Sequence, residues 1–290
     1  MNPTNRIPVP VAAFLRCPVC REETDVTPDG KSLVCQGSKK HCFDFSKSGY
    51  LNLAPSHPNG GDERDMVRAR TEFLSAGYYR PVADGVLRAL GAVLPDGGTV
   101  LDAGCGEGYY SCLIAGEGYT VFGTDLSKSA IDHAAKTARS MANASGADIS
   151  AFFAVSSLFD LPVADASVDA VVSIFAPVAE AEFLRVLKPG GYLILAGAGR
   201  DHLMGLKEAL YEHAYRNEER ADLPTGMREV SRGAVREEIT VHGREHIEAL
   251  FSMTPYYWRT SPADRQKLCH LDTLATPIDV QVLTYRKDLS

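Results

Sequence analysis

Two constellations in this 290-residue sequence have the residue types and spacing to do chemistry. The first is Cys17-Pro-Val-Cys20, followed by Cys35 and then by His41-Cys42. A C-x2-C turn presents two thiolates from a tight knuckle, and a second pair arriving on a neighbouring hairpin completes a tetrahedron around Zn²⁺. Thr27-Pro-Asp-Gly30 supplies a turn between the pairs and Ser32-Leu-Val-Cys35 a short strand, the layout of a zinc ribbon. So small a unit buries little apolar surface, and the metal supplies most of its folding free energy. A redox C-x-x-C is disfavoured because no βαβ setting surrounds it. The fourth ligand stays open between His41 and Cys42. The second constellation is Thr99-Val-Leu-Asp-Ala-Gly-Cys-Gly-Glu-Gly-Tyr-Tyr110. Val100 and Leu101 read as the end of a buried strand, Asp102 closes it, and Gly104, Gly106 and Gly108 follow at alternate positions. Glycines so placed let the chain turn sharply and bring its backbone close to a ligand. Thr120-Val-Phe-Gly-Thr-Asp125 then reads as a second strand ending in a carboxylate, about 20 residues on, suited to two hydrogen bonds from a ribose diol.

The nucleotide so held is not read as a dinucleotide. Asp102 puts an acid where a pyrophosphate would meet repulsion. S-adenosylmethionine (SAM) has no phosphate, and its ammonium is favoured by an acid near the turn. Asp102-x-Gly104-x-Gly106-x-Gly108 resembles motif I of the class I SAM-dependent methyltransferases.

The elements that must position these residues alternate. Helices are predicted over 62–76, 81–93, 109–115, 127–141 and 178–187, and strands at 99–101, 120–125, 149–155, 170–175 and 192–197. Lys188-Pro-Gly-Gly191 reads as a sharp turn between helix and strand, and late strands 235–241 and 279–286 as an antiparallel edge. The result is an α/β, Rossmann-like, doubly wound sheet behind a small zinc-binding domain. Residues 1–58 are assigned to a leader and the ribbon, and 59–290 to the methyltransferase body. Segment 54–61 is the expected linker, Met1–Leu15 a flexible leader, and Phe43–Phe45 and Gly49–Leu53 strand ends packing the ribbon. The segment before the first strand is expected to fold over the cofactor, where Tyr79 either touches it or packs between helices.

Composition narrows the classes. No apolar run approaches the roughly 20 residues that span a bilayer, so no membrane partner is expected. Net charge is −7, which argues against a generally basic nucleic-acid binder. It is uneven: residues 1–80 hold eleven Lys/Arg against nine Asp/Glu, or +2, leaving −9 for the rest. A mildly basic front on an acidic body steers RNA toward one face. Seven cysteines, four of them in the first 42 residues, argue against a disulfide framework and for the cytoplasm. A homodimer is compatible with the sequence, which sets no oligomeric state.

The ribbon cysteines, His41-x-Phe43-Asp44, Gly49-Tyr50-x-Asn52-Leu53, Gly77-x-Tyr79-x-Pro81, the glycine turn, Phe175-Ala-Pro177, His202-Leu-Met-x-Leu-Lys207 and Met253-Thr-Pro255 occur in that order. Together they resemble the 23S ribosomal RNA guanine-N1 methyltransferases, over residues 17 to about 286. The resemblance implies methyl transfer from SAM to N1 of a guanine in a hairpin loop of domain II of 23S rRNA. It implies zinc ligands Cys17, Cys20, Cys35 and His41, the His-x-Phe-Asp context favouring His41 over Cys42. It also implies SAM contacts at Tyr79, Gly106, Glu107 and His202. The Cys35-to-His41 gap is longer than the family's pattern, and Cys42 beside it leaves another ligand choice. Phe175-Ala-Pro177 lacks the Asn or Asp that precedes proline in many amino-methylating enzymes, which disfavours attack by an exocyclic amine. Phe175 suits stacking on a base or a place in the core, Asp169 suits ordering a loop, and no catalytic base is identified. A small-molecule methyltransferase of the quinone type shares the glycine turn but not the ribbon. A non-catalytic RNA- or ribosome-binding protein would not need the turn with Asp102 and Asp125.

Overall fold

Val100 and Leu101 are neighbours in one strand, yet they enter two different cores, one on each face of the sheet. Val121 and Phe122, Ala170 and Val171, and Ile194 and Leu193 divide in the same way. A parallel strand covered on both faces needs an unbroken apolar run, and its period-two side-chain direction shares that run between the faces. The computed structural model describes residues 7–54, 64–145, 149–218 and 224–289.

Helix α1 (Val9–Phe14) leads into a three-stranded antiparallel sheet of β1 (Thr24–Val26), β2 (Ser32–Cys35) and β3 (Cys42–Asp44). Strand β4 (Leu51–Asn52) and helices α2 (Arg64–Ser75) and α3 (Arg80–Val93) precede the glycine turn. Then come β5 (Thr99–Ala103), α4 (Tyr109–Gly116), β6 (Thr120–Asp125), α5 (Lys128–Ser145), β7 (Ala151–Val155) and β8 (Val168–Ile174). The chain continues through α6 (Glu180–Val186), β9 (Leu187–Ala198), α7 (Met204–Leu210), β10 (Met227–His242), α8 (Arg244–Ser252), α9 (Pro262–Leu268) and β11 (Thr273–Lys287). The large sheet runs β10-β11-β9-β8-β5-β6-β7-β4. From β9 to β4 the pairs are parallel, and β11 is antiparallel to both β9 and β10. The strand order reverses at β5, and ligands of open α/β sheets sit outside the carboxyl ends at such a switch. No helix among the described residues is long and apolar enough to cross a membrane.

The structure differs from the sequence-based expectations in four places. Residues 7–15 are no loose leader: Val11, Phe14 and Leu15 are buried in one of the two cores, and the Phe14 ring lies 5.8 Å from Phe122. Apolar residues at i, i+3 and i+4 give α1 a face that covers β6. Leu51 and Asn52 pack against the ribbon through a Phe45–Leu51 bridge, as expected, but they also pair with Ala154 and Val155 as an edge strand of the large sheet. Lys188–Gly191 lies inside β9 at a shift of register, where β8 pairs Val168 with Leu187 and then Ala170 with Tyr192. The late strands are longer than expected, because most of β10 is solvent-exposed and is held by its ladder with β11 rather than by an apolar face. Most of the expected linker, and the 58/59 boundary with it, lies outside the described residues.

The metal-ribbon segment is sewn to the body. Arg21 donates to Leu161 O at 2.7 Å and pairs with Asp160, while Arg16 N donates to Pro162 O. On the far side Ser48 Oγ donates to Asp132 Oδ1 at 2.6 Å, and Arg139 Nη2 to Ser48 O at 2.7 Å.

Candidate cofactor cavity and metal cluster

A cavity of about 1000 Å³ opens at the carboxyl ends of β5 and β8. Its floor is the glycine turn, where Gly104, Gly106 and Gly108 have φ of 83°, 55° and 85°. That left-handed region strains any residue with a Cβ. Space excludes one as well: a Cβ on Gly104 would lie 2.5 Å from Ala176 Cβ, and one on Gly108 2.6 Å from Ala134 Cβ. The turn is stitched to β6 by Gly104 N and Cys105 N, which both donate to Thr124 O. Asp125, at the end of β6, lines the cavity; its Oδ2 accepts from Gly106 N at 3.1 Å and its Oδ1 from Ser127 N at 2.7 Å. Glu107 is buried on the cavity wall, 3.7 Å from Arg70 Nη1 of α2.

Asp102 is not beside the cavity, where the sequence reading put it. It is buried beneath the turn, and its carboxyl accepts from Ser111 Oγ at 2.5 Å. Burial pushes its pKa up to about 7, against the Ser111 hydrogen bond and with the help of Asp125 and Glu107. In this place Asp102 braces α4 against β5. Asp169 lies at the opposite end of its strand from the Phe175–Pro177 loop, accepting from Thr99 N at 2.9 Å and from Lys188 Nζ at 2.7 Å, so it ties the start of β5 to the segment at Lys188.

Tyr79 and His202 meet over the turn. Both are buried, and Tyr79 Oη lies 3.2 Å from His202 Nε2. His202 Nδ1 accepts from Asp279 N at 3.3 Å, so the neutral ring carries its hydrogen on Nε2 and donates it to Tyr79. Burial holds His202 at about 4, with Asp279 opposing the shift and Lys207 adding to it. Phe175 stacks on His202 with centroids 5.4 Å apart, from a backbone at φ 52°. A non-glycine residue held there is a mark of functional sites.

Several residues of the cavity and of the wall behind it were not predicted. Arg70 reads from the sequence as lying off the apolar face of its helix, which it does, because that side of α2 looks onto Gly106. Lys207 is fully buried; its Nζ donates to Asn217 Oδ1 at 2.6 Å and Tyr215 O at 2.8 Å, and lies over the Tyr215 and Tyr256 rings. Trp258 and Tyr215 also line the cavity. Tyr215 stands in the sequence as an aromatic residue set among charged ones, whereas Trp258 closes a run of three aromatics begun by Tyr256 and Tyr257.

In the ribbon, ligand atoms of Cys17, Cys20, Cys35 and His41 all lie within 4.8 Å of one another. Cys17 Sγ is 3.4 Å from His41 Nδ1, Cys20 Sγ is 3.5 Å from the same nitrogen, and Cys20 and Cys35 sulfurs are 3.2 Å apart. Bonds of about 2.0–2.3 Å to a tetrahedral Zn²⁺ require ligand separations of roughly 3.5–3.8 Å, so the set fits that ion after a small expansion. Cys42 stands outside the cluster, its exposed thiol 3.9 Å from Asp44 Oδ1. The cavity fits SAM by the same kind of test: Cβ atoms would fill the cradle, and an acid rather than a phosphate-binding cation closes the second strand.

Protein purified without chelator is expected to hold one zinc per chain by elemental analysis, with His41→Ala losing it and Cys42→Ala keeping it. Zinc retained by His41→Ala would contradict the cluster. A second expectation concerns pH. The pKa of His202 is lower folded than unfolded, so between 6.5 and about 4 the unfolded chain binds more protons and stability falls with falling pH. Above that window this contribution is flat. Urea unfolding compared at pH 7.5 and 4.5 should show His202→Gln escaping about 2–3 kcal/mol of the parent's acid-side loss; equal losses would contradict the buried neutral ring.

Comparison with known proteins agrees with both halves of this geometry. A family model described as "Methyltransferase domain" matches residues 101–195, and one described as "RlmA, N-terminal", a zinc ribbon, matches residues 15–59. A Bacillus subtilis (strain 168) relative is 30% identical over 286 residues, spanning 93% of this chain and 96% of its own. A Micromonospora griseorubida relative is 31% identical over 289 residues, spanning 92% of this chain and 93% of its own. Both carry names of 23S rRNA (guanine-N(1)-)-methyltransferases. A Streptomyces fradiae relative, 33% identical over 208 residues with 69% of each chain covered, is named 23S rRNA (guanine(748)-N(1))-methyltransferase. The ribbon, the cavity and this near full-length similarity together mean that the chain belongs to the 23S rRNA (guanine-N1)-methyltransferase family.

Proposed function

We propose that this protein transfers a methyl group from SAM to N1 of a guanine in a hairpin loop of domain II of 23S rRNA, a cytoplasmic substrate. The observation that carries the reading is the cysteine–histidine cluster fastened to a body whose cavity opens at the sheet's switch point. A quinone-type methyltransferase would have no use for the cluster. When bound, SAM supplies a methyl already activated by its sulfonium. Asp125 holds the ribose hydroxyls, Gly104, Gly106 and Glu107 form the floor, and Tyr79 and His202 close over it. Asp102 acts from below, through Ser111 and α4.

Transfer then needs an in-line nucleophile about 3 Å away in a dry pocket. The rings of Tyr79, Phe175 and His202 exclude water from one side of the cavity. The proton on guanine N1 leaves around the time of attack and passes to water at the cavity mouth, with S-adenosylhomocysteine as the other product. Tyr79 and His202 do not take it: His202 Nε2 already carries hydrogen, and burial raises the Tyr79 pKa. The exposed Lys31, Lys39 and Lys40 of the ribbon face solvent, where RNA phosphates would meet them.

Incubation with labelled SAM and 23S rRNA lacking the modification is expected to give 1-methylguanosine in the hairpin, seen by mass spectrometry and as a stop to reverse transcription. Methyl on any other atom or only on a small molecule would overturn the reading. Deleting residues 1–58 would strip α1 and β4 from the body, so the ribbon is better tested by Lys39→Ala with Lys40→Ala. That pair should weaken RNA binding and flatten its salt dependence by about one ion per lost phosphate contact.

A further inference from the structure

Among the described residues, the exposed large hydrophobic side chains include four aromatic rings: Phe159 (66% exposed), Phe175 (43%), Tyr215 (52%) and Trp258 (68%). All four line the same cavity. They arrive from four separate segments, after β7, β8, α7 and α8 respectively. Rings scattered singly over a surface need no explanation, but rings converging on one opening mark a place where something apolar and flat is taken up.

Two of the rings are held rather than loose. Phe175 keeps its left-handed backbone and stacks on His202. Tyr215 is fixed through Lys207, whose ammonium donates to its carbonyl and sits 4.5 Å from the centre of its ring. One polar side chain of the lining, Asn217, has its hydrogen-bonding capacity used within the wall. The Asn217 amide donates to Gly199 O and His202 O, and its oxygen accepts from Lys207 Nζ and Tyr256 Oη. Asn217 is thereby spent on the wall and does not read base edges. Beside these rings the opening offers flat faces and no free amide from Asn217.

Resting on the RNA-methyltransferase reading above, we infer that Phe159, Phe175, Tyr215 and Trp258 form a stacking platform for unpaired nucleobases that flank the target guanine. The protein takes several loop bases unstacked, beyond the one it methylates. Stacking on aromatic rings tolerates any base, because every base has a π face, and it requires single-stranded geometry. The platform thus selects an open loop over a duplex, while the ribbon's cations hold phosphates.

Trp258 is the only tryptophan of the chain, so intrinsic emission reports on the platform directly. The purified full-length protein is titrated with the unmethylated domain II hairpin and with a fully paired RNA duplex of equal length. Anisotropy of end-labelled RNA measures binding separately. The hairpin is expected to quench more than half of the Trp258 emission at saturation, and the duplex to leave it unchanged. Trp258→Ala and Tyr215→Ala should each weaken hairpin binding by about 5- to 150-fold, Trp258→Phe by much less, with thermal melts reporting that each variant is folded. Saturation by the hairpin without quenching, or equal quenching by the duplex, overturns the platform alone. A hairpin that does not bind at all overturns the RNA reading, and the platform with it.

Discussion

The close approach of Gly104 to Ala176 is the constraint on which the rest depends. The turn after β5 touches the loop after β8 with no room for a Cβ between them, α5 closes on Gly108 in the same way, and the Arg70 guanidinium of α2 would stand 3.2 Å from a Cβ on Gly106. Three successive left-handed glycines are needed to follow that path. The path is held from beneath by Asp102 on Ser111 and from the side by Asp125 on Gly106 N. Conformational freedom given up there leaves bare backbone facing a cavity, the geometry that a nucleoside needs. Tyr79, His202 and Phe175 can then stack in one group over the turn because the loop after β8 lies so low.

The same economy joins the metal cluster to the cavity. Residues 158–163 have both as neighbours: Leu158 and Phe159 line the cavity, Asp160 and Leu161 hold Arg21, Pro162 accepts from Arg16 N, and Val163 bridges to Leu15. A six-residue stretch thus fixes where the ribbon stands relative to the chemistry. Glu182 and Arg185 of α6 brace it, the first accepting from Leu161 N and the second donating to the carbonyls of Leu161 and Val163. With α1 in a core and β4 in the sheet, the N-terminal part is a positioned element of the framework.

Much of this was legible in the sequence, for identifiable reasons. The central strands announced themselves by unbroken apolar runs, the glycine turn by its spacing, and the metal ligands by paired cysteines. What was missed has physical causes too. The six residues of α1 and the two of β4 are too short to show a period, and only the face they cover reveals them. Strand β10 is exposed along most of its length, so its existence lies in backbone hydrogen bonds that no pattern of apolar residues records. Asp102 was placed by analogy with a charge at the ligand, when its carboxyl had a nearer partner nine residues on. The choice between His41 and Cys42 could not be made from spacing alone, because the two are adjacent; His41 meets the cluster from just before β3, while the Cys42 thiol lies beside Asp44. Lys207 lay in a recognised run of residues without a role until the wall it supports was seen.

The account stands most directly on the carboxylate at the end of β6. Calorimetric titration of the protein and of Asp125→Ala with SAM, alongside thermal melts to show that both are folded, measures what that carboxylate contributes. Two hydrogen bonds to a ribose diol are expected to be worth about 1–3 kcal/mol, so the variant should bind roughly 5- to 150-fold more weakly. Equal affinity in a folded variant would mean that the cofactor lies elsewhere, and would contradict the reading of the turn as its cradle.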